Sequence, residues 1–234
     1  MKNTLNPRSL QSSSESGNIL VYVLLGIVLL GLLTAALRQS GDQGKDLDQE
    51  RLNIKAGQVQ QYAAQIAQGV ATMVEGGVSE AKLKFAHPDG DSDYGLISVE
   101  PTEQVFSTKG GNIPYKLPPA GVNDGSKWQF YGTTDIPQVG SDKAELIAVL
   151  PNVTKEFCVM IDRQLKLGDT PPVDDNTSTT PDCVGSLTAA HKFSGTYMDP
   201  PNELDPTTFS RLPMSQACVS CGASYHYFYV LLSR

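Results

Sequence analysis

Charge is scarce in this sequence, and cysteine is missing from its first two thirds. Charged residues make up 18% of the 234-residue chain, below the roughly one quarter usual for a soluble domain. The formal net charge is −7 and no basic cluster occurs, so the footprint that phosphate binding needs is missing and no nucleic-acid partner is expected. No G-x-S-x-G, H-E-x-x-H or P-loop pattern occurs, which leaves nucleophilic, metallopeptidase and nucleotide chemistry without support. The three histidines, His87, His191 and His226, are scattered, and His226 reads as a packed strand residue. The expectation is a protein that is not an enzyme and carries no cofactor.

What the chain does have is one long apolar run. Residues 19–37 read ILVYVLLGIVLLGLLTAAL, without a charge. As a helix this run reaches roughly 28 Å, close to the hydrocarbon thickness of a bilayer. A buried helix of a soluble core is shorter and has a polar edge. A cleaved signal peptide has a shorter apolar region and leaves through a small-x-small site, whereas this run exits into Leu37-Arg38-Gln39. The segment is expected to stay attached as a single membrane span.

Lys2 and Arg8 before the run are balanced by Arg38, Lys45 and Arg51 after it, so flanking charge does not set the topology. The cysteines do. Cys158, Cys183, Cys218 and Cys221 form an even, clustered set, which reads as disulfides in a head outside the cytoplasm.

Gly41 and Gly44 mark a break after the apolar run. Leu52, Ala56, Val59, Ala63, Ile66, Val70 and Met73 or Val74 then recur at helical steps, with glutamines on other faces. This pattern predicts one amphipathic helix over 46–75, stopped by Gly76-Gly77. Beyond it, Gly and Pro punctuate short segments, as expected of strands and turns. Strands are predicted at 96–99, 127–131, 145–150 and 225–232. Both faces of the last are apolar enough for a central position. A further helix is predicted through Val153, Phe157, Met160, Ile161 and Leu165, capped by Asn152, ended by Gly168 and carrying Cys158.

Four cysteines allow three connectivities. A bridge from Cys158 to Cys183 would fasten the 170–181 loop to that helix and contribute roughly 3 kcal/mol, leaving Cys218-Val-Ser-Cys221 as a tight structural disulfide. The C-x-x-C spacing lacks the βαβ context of a redox motif, and a four-cysteine zinc site would want two close pairs. Asp89, Asp91, Asp93 and Glu100 stand at positions one, three, five and twelve of a possible calcium loop. Tyr94 occupies the place where such a loop needs glycine, so the stretch reads as an acidic turn and no metal is expected.

Residues 1–17 are polar and mildly basic at their start, and Gly17-Asn18 leads straight into the apolar run. In this order of segments the chain resembles the type IV pilin and type II secretion pseudopilin superfamily. The resemblance implies an α+β, pilin-like fold: a long N-terminal helix, transmembrane and then amphipathic, packed on a small antiparallel β head with disulfides. It further implies a leader over 1–17, a membrane helix over 18–38, the amphipathic helix over 46–75 and an extracytoplasmic head over 76–234. A prepilin peptidase would cut between Gly17 and Asn18, leaving Asn18 as the first mature residue, and methylation is implied as well.

The implied partners are sister pilin-like subunits, the prepilin peptidase and an inner-membrane assembly platform. The implied location is a bacterial inner membrane, with the head in the periplasm or on an extracellular filament. Tyr22 stands at the fifth mature position, where most members carry glutamate, and this departure favours a minor, tip or divergent subunit. The alternatives are a single-pass anchored binding or adhesin domain that does not polymerise and, further behind, an anchored thiol oxidoreductase.

Overall fold

The computed structural model describes residues 16–39, 43–174, 183–184, 189–204, 207 and 209–234. The chain divides into two compact units, Met1–Gln49 and Glu50–Arg234. In the first unit, α1 (Ser16–Gln39) carries the apolar run. A second helix, α2 (Gln43–Glu75), starts in this unit and from Glu50 onward belongs to the second. Among the described residues, no helix is long and apolar enough to cross a membrane. In α1 the described side chains are those of residues 20–35, fewer than the about 20 residues that a bilayer core requires. Of the expected leader, residues 1–15 lie outside the described residues.

In the second unit, the stripe read from the sequence is the face that α2 buries. Ala56, Val59, Tyr62, Ala63, Ile66, Val70 and Met73 are all in the core, at the three- and four-residue steps that return a helix to one side. The helix ends where Gly77 turns to φ 93°, a conformation open to glycine. There Val78 N–H donates to Met73 O at 3.0 Å and Gly77 N–H to Val74 O at 3.0 Å, which satisfies carbonyls the helix would leave bare.

Five strands form one sheet in the order β3-β1-β2-β5-β4. They are β1 (Gln129–Asp135), β2 (Glu145–Leu150), β3 (Asn202–Glu203), β4 (Gln216–Cys221) and β5 (Ser224–Leu232). All pairings are antiparallel except the short parallel one between β1 and β3. The architecture is therefore α+β with an antiparallel-rich sheet.

Both faces of this sheet are covered, and the strand patterns show it. On β2, Leu146, Ala148 and Leu150 enter the core shared with α2 and with α3 (Lys155–Gln164). Ile147 and Val149, pointing the other way, join Val184, Phe209, Met214 and Phe228 in a second core. The final strand is central, between β2 and β4, as its two apolar faces predict.

Several local expectations are corrected. Residues 96–99 are no strand: they form turns whose carbonyls at Leu96 and Val99 accept from Gln104 Nε2. The predicted strand at 127–131 starts later and runs further, as β1. Thr154, not Asn152, caps α3, its Oγ1 accepting from Phe157 N–H at 3.3 Å. Asn152 instead sits at φ 53° and hydrogen-bonds Asp124. The helix closes at Gln164, before Gly168. β4 was not expected at all. Gly222-Ala223 joins it to β5 with Gly222 at φ 60°, the positive φ that a two-residue hairpin turn needs at its first central position.

Candidate functional site

The four cysteines form two disulfides, Cys158–Cys218 and Cys183–Cys221. The expected Cys158–Cys183 and Cys218–Cys221 pairs are both wrong, for one physical reason. Cys218 and Cys221 lie on a strand, where alternate residues face opposite sides. Three residues apart, they point to different faces. Cys218 enters the helix-covered core and meets Cys158 of α3, while Cys221 packs at the edge of the second core and meets Cys183. Both members of the first bond are fully buried, and both members of the second are part-exposed.

A histidine borders the exposed bond. One ligating atom each from Cys183, Cys221 and His226 lie within 4.8 Å of one another, because His226 pairs with Val219, two residues from Cys221 on the same strand face. His226 is buried, and burial pulls its imidazole down to about 4, against the weaker upward pull of Asp124. It is neutral at neutral pH, and its Nδ1 accepts from Asn152 N–H at 3.4 Å. The sulfurs are tied to each other, so their thiolates are not available to a metal in this state.

Among the described residues three carboxyls are buried, Glu145, Asp162 and Asp174, the first two at 0% exposure. Asp162 on α3 accepts from Cys218 N–H through Oδ1 at 3.1 Å, and its Oδ2 has no hydrogen-bond partner among the described residues. Burial raises it to about 7, the Cys218 bond pulling the other way. Glu145 at the start of β2 accepts from Ile136 N–H at 2.7 Å. Burial likewise pushes it to about 7. Sequence reasoning passed over both. A signal for Asp162 was present: it follows Cys158 by four residues, on the face α3 buries.

The four acids of the possible calcium loop are not gathered into one cage. Asp91 and Asp93 bind the ammonium of Lys192, Glu100 pairs with Lys84, and Asp89 lies beside His87. A lysine about a hundred residues away in sequence thus supplies the positive charge that two of these acids need. Burial opposes ionisation of Asp91, yet the Lys192 hydrogen bond and charge outweigh it and hold the carboxyl below its usual range.

A cleft of about 370 Å³ runs beside α2, lined by Gln58, Gln61, Gln65, Tyr62, Lys116 and Pro118 among others. Lys116 Nζ stands 5.4 Å over the Tyr62 ring and bonds Gln65. A smaller hollow of about 210 Å³ is lined by Asp135, Asp142 and Glu203.

In the first unit, the expected processing residues Gly17 and Asn18 fall in the first turn of α1, with their side chains outside the described ones. From Leu20 to Leu33, twelve large apolar side chains are each at least half exposed. They occupy every side of the helix, Tyr22 among them. The hydroxyl of Thr34 is satisfied within the helix, donating to Leu30 O and Gly31 O.

Comparison of the chain with family models, with curated proteins and with solved structures finds no match.

Proposed function

We propose that this chain is a membrane-anchored, pilin-like structural subunit, minor or divergent, of a type IV pilus or pseudopilus-type filament. The observation that carries the reading is the surface of α1. Burying a large apolar side chain is worth about 1.5–3 kcal/mol, so twelve of them left in water would forgo on the order of 20 kcal/mol. A surface apolar on all sides calls for lipid before assembly and for packed sister helices afterwards. The internally satisfied Thr34 suits such a setting, where no water is at hand for a stray hydroxyl. The amphipathic α2 and the antiparallel-rich, disulfide-bonded head agree with the same layout.

In this role the apolar run of residues 19–37 anchors the chain in a bacterial inner membrane, and the head stands in the periplasm or on the filament. Prepilin peptidase cuts after Gly17, and an assembly platform passes the subunit to its sisters. The role is structural and uses no catalysis. Tyr22, in place of the usual glutamate, favours the minor or divergent place in the filament; the second reading is the same anchor carrying a binding head that never polymerises.

Sequencing the mature N-terminus of the membrane-extracted protein tests the proposal. Asn18 as the first residue supports it. An intact Met1 overturns the pilin route and leaves the plain anchored head.

A further inference from the structure

We infer that the Cys183–Cys221 disulfide is a thiol-exchange site, open to dithiols from solvent and served by His226, while Cys158–Cys218 is a permanent staple. The inference concerns the head alone and holds whether or not the subunit assembles into a filament.

Three observations lead to it. The first is access. A thiolate must approach a disulfide sulfur directly, and Cys158 and Cys218 are both 0% exposed. Cys183 and Cys221 are part-exposed, and Cys221 closes β4 at the hairpin turn, on the outermost strand of the sheet.

The second is the neighbouring imidazole. With Nδ1 accepting from Asn152 N–H, the neutral ring keeps its proton on Nε2. One ring nitrogen lies within 4.8 Å of both sulfurs, so the ring is near enough for its N–H to serve as donor to whichever sulfur departs as thiolate. A hydrogen bond to an ionised acceptor is among the stronger ones, so it favours the leaving group as charge develops.

The third is that opening the bond does not release the segment carrying Cys183. Asp174 N–H donates to Ser220 O at 2.9 Å and Ser220 N–H to Pro172 O at 2.7 Å. Val184 N–H in turn donates to Asp174 Oδ2 at 3.1 Å. These bonds hold Cys183 near Cys221 through backbone and carboxylate, independently of sulfur. The two thiols therefore stay within reach and can close again.

The exchange balances with a dithiol as reductant. One dithiol thiolate attacks a sulfur of the pair, forming a mixed disulfide and expelling the other sulfur as thiolate. The second dithiol sulfur then displaces the remaining protein sulfur, closing the reagent's own disulfide. The two protons lost by the reagent end on Cys183 and Cys221. The protein gains two electrons, and the dithiol is oxidised.

The experiment treats the full chain in detergent with dithiothreitol, without denaturant, and blocks free thiols with a maleimide at timed intervals. Peptide mass spectrometry then locates the blocked cysteines. The expected result is that Cys183 and Cys221 are blocked at least about 100-fold faster than Cys158 and Cys218, and that an oxidant restores the same pairing. Joint opening of both bonds, earlier opening of Cys158–Cys218, or no opening short of global unfolding would overturn the inference.

The role of His226 is tested in the same assay. His226→Leu should slow opening by about tenfold, whereas His226→Gln, which keeps an N–H donor, should restore most of the rate. Opening of His226→Leu at the wild-type rate, or equal slowing by both variants, would remove the histidine from the mechanism.

Discussion

Replacing Asp162 with Asn should make the stability curves of variant and wild type cross as pH changes. The carboxyl is fully buried on α3, with one oxygen on Cys218 N–H and the other without a partner among the described residues. Burial raises it from 3.8 to about 7, so the folded chain holds this proton more tightly than the unfolded chain does. The contribution to stability is fully present below the unfolded value of 3.8 and is lost as pH rises through about 7. Three decades in proton affinity correspond to on the order of 4 kcal/mol.

In the Asn variant the side-chain oxygen still accepts from Cys218 N–H. Its amide nitrogen, however, puts two N–H donors where the protonated acid has one O–H and where no partner stands among the described residues, an added cost of about 1–3 kcal/mol that does not vary with pH. The variant should therefore be less stable than wild type by about 1–3 kcal/mol near pH 4, and more stable by a similar amount near pH 8. Urea unfolding of the oxidised protein at the two pH values reads this directly. Glu145 titrates in both proteins and cancels from the difference. Curves that stay parallel across the range would refute the reasoning.

Two further perturbations probe the packing and the acidic turn. Ile66→Ala, on the buried stripe of α2 where Ile66 is 0% exposed, should cost about 2–5 kcal/mol in urea unfolding; a loss below about 1 kcal/mol would mean that α2 is not part of the folded core. Lys192→Met should let the Asp91 carboxyl, held below its usual range, titrate higher in an NMR pH series. Because that lowered carboxyl stabilises the fold above its unfolded value and loses its effect as pH falls, the variant should lose about 1–3 kcal/mol at neutral pH and show a shallower acid-side decline.

Much of the scaffold was legible because it depends on local periodicity. The stripe through Val59, Ile66 and Val70 places one side of α2 in the core whatever lies opposite. The two apolar faces of β5 require cover on both sides, and both cores exist. By contrast, Gln216–Cys221 carries no clear alternation, and it is its pairing with β5 that makes it a strand. The acids at Asp91 and Asp93 resembled a cation loop because the lysine that neutralises them is remote in sequence.

By itself, the amino-acid order determined the apolar run of residues 19–37, the amphipathic helix after it and the clustering of cysteine in the last third. Each is a property of spacing along one chain. Only the tertiary structure decided which cysteines meet, which carboxyls are buried and where His226 lies. Those outcomes depend on which face of a strand meets which neighbour, and a shift of one residue sends a side chain to the opposite side of the sheet.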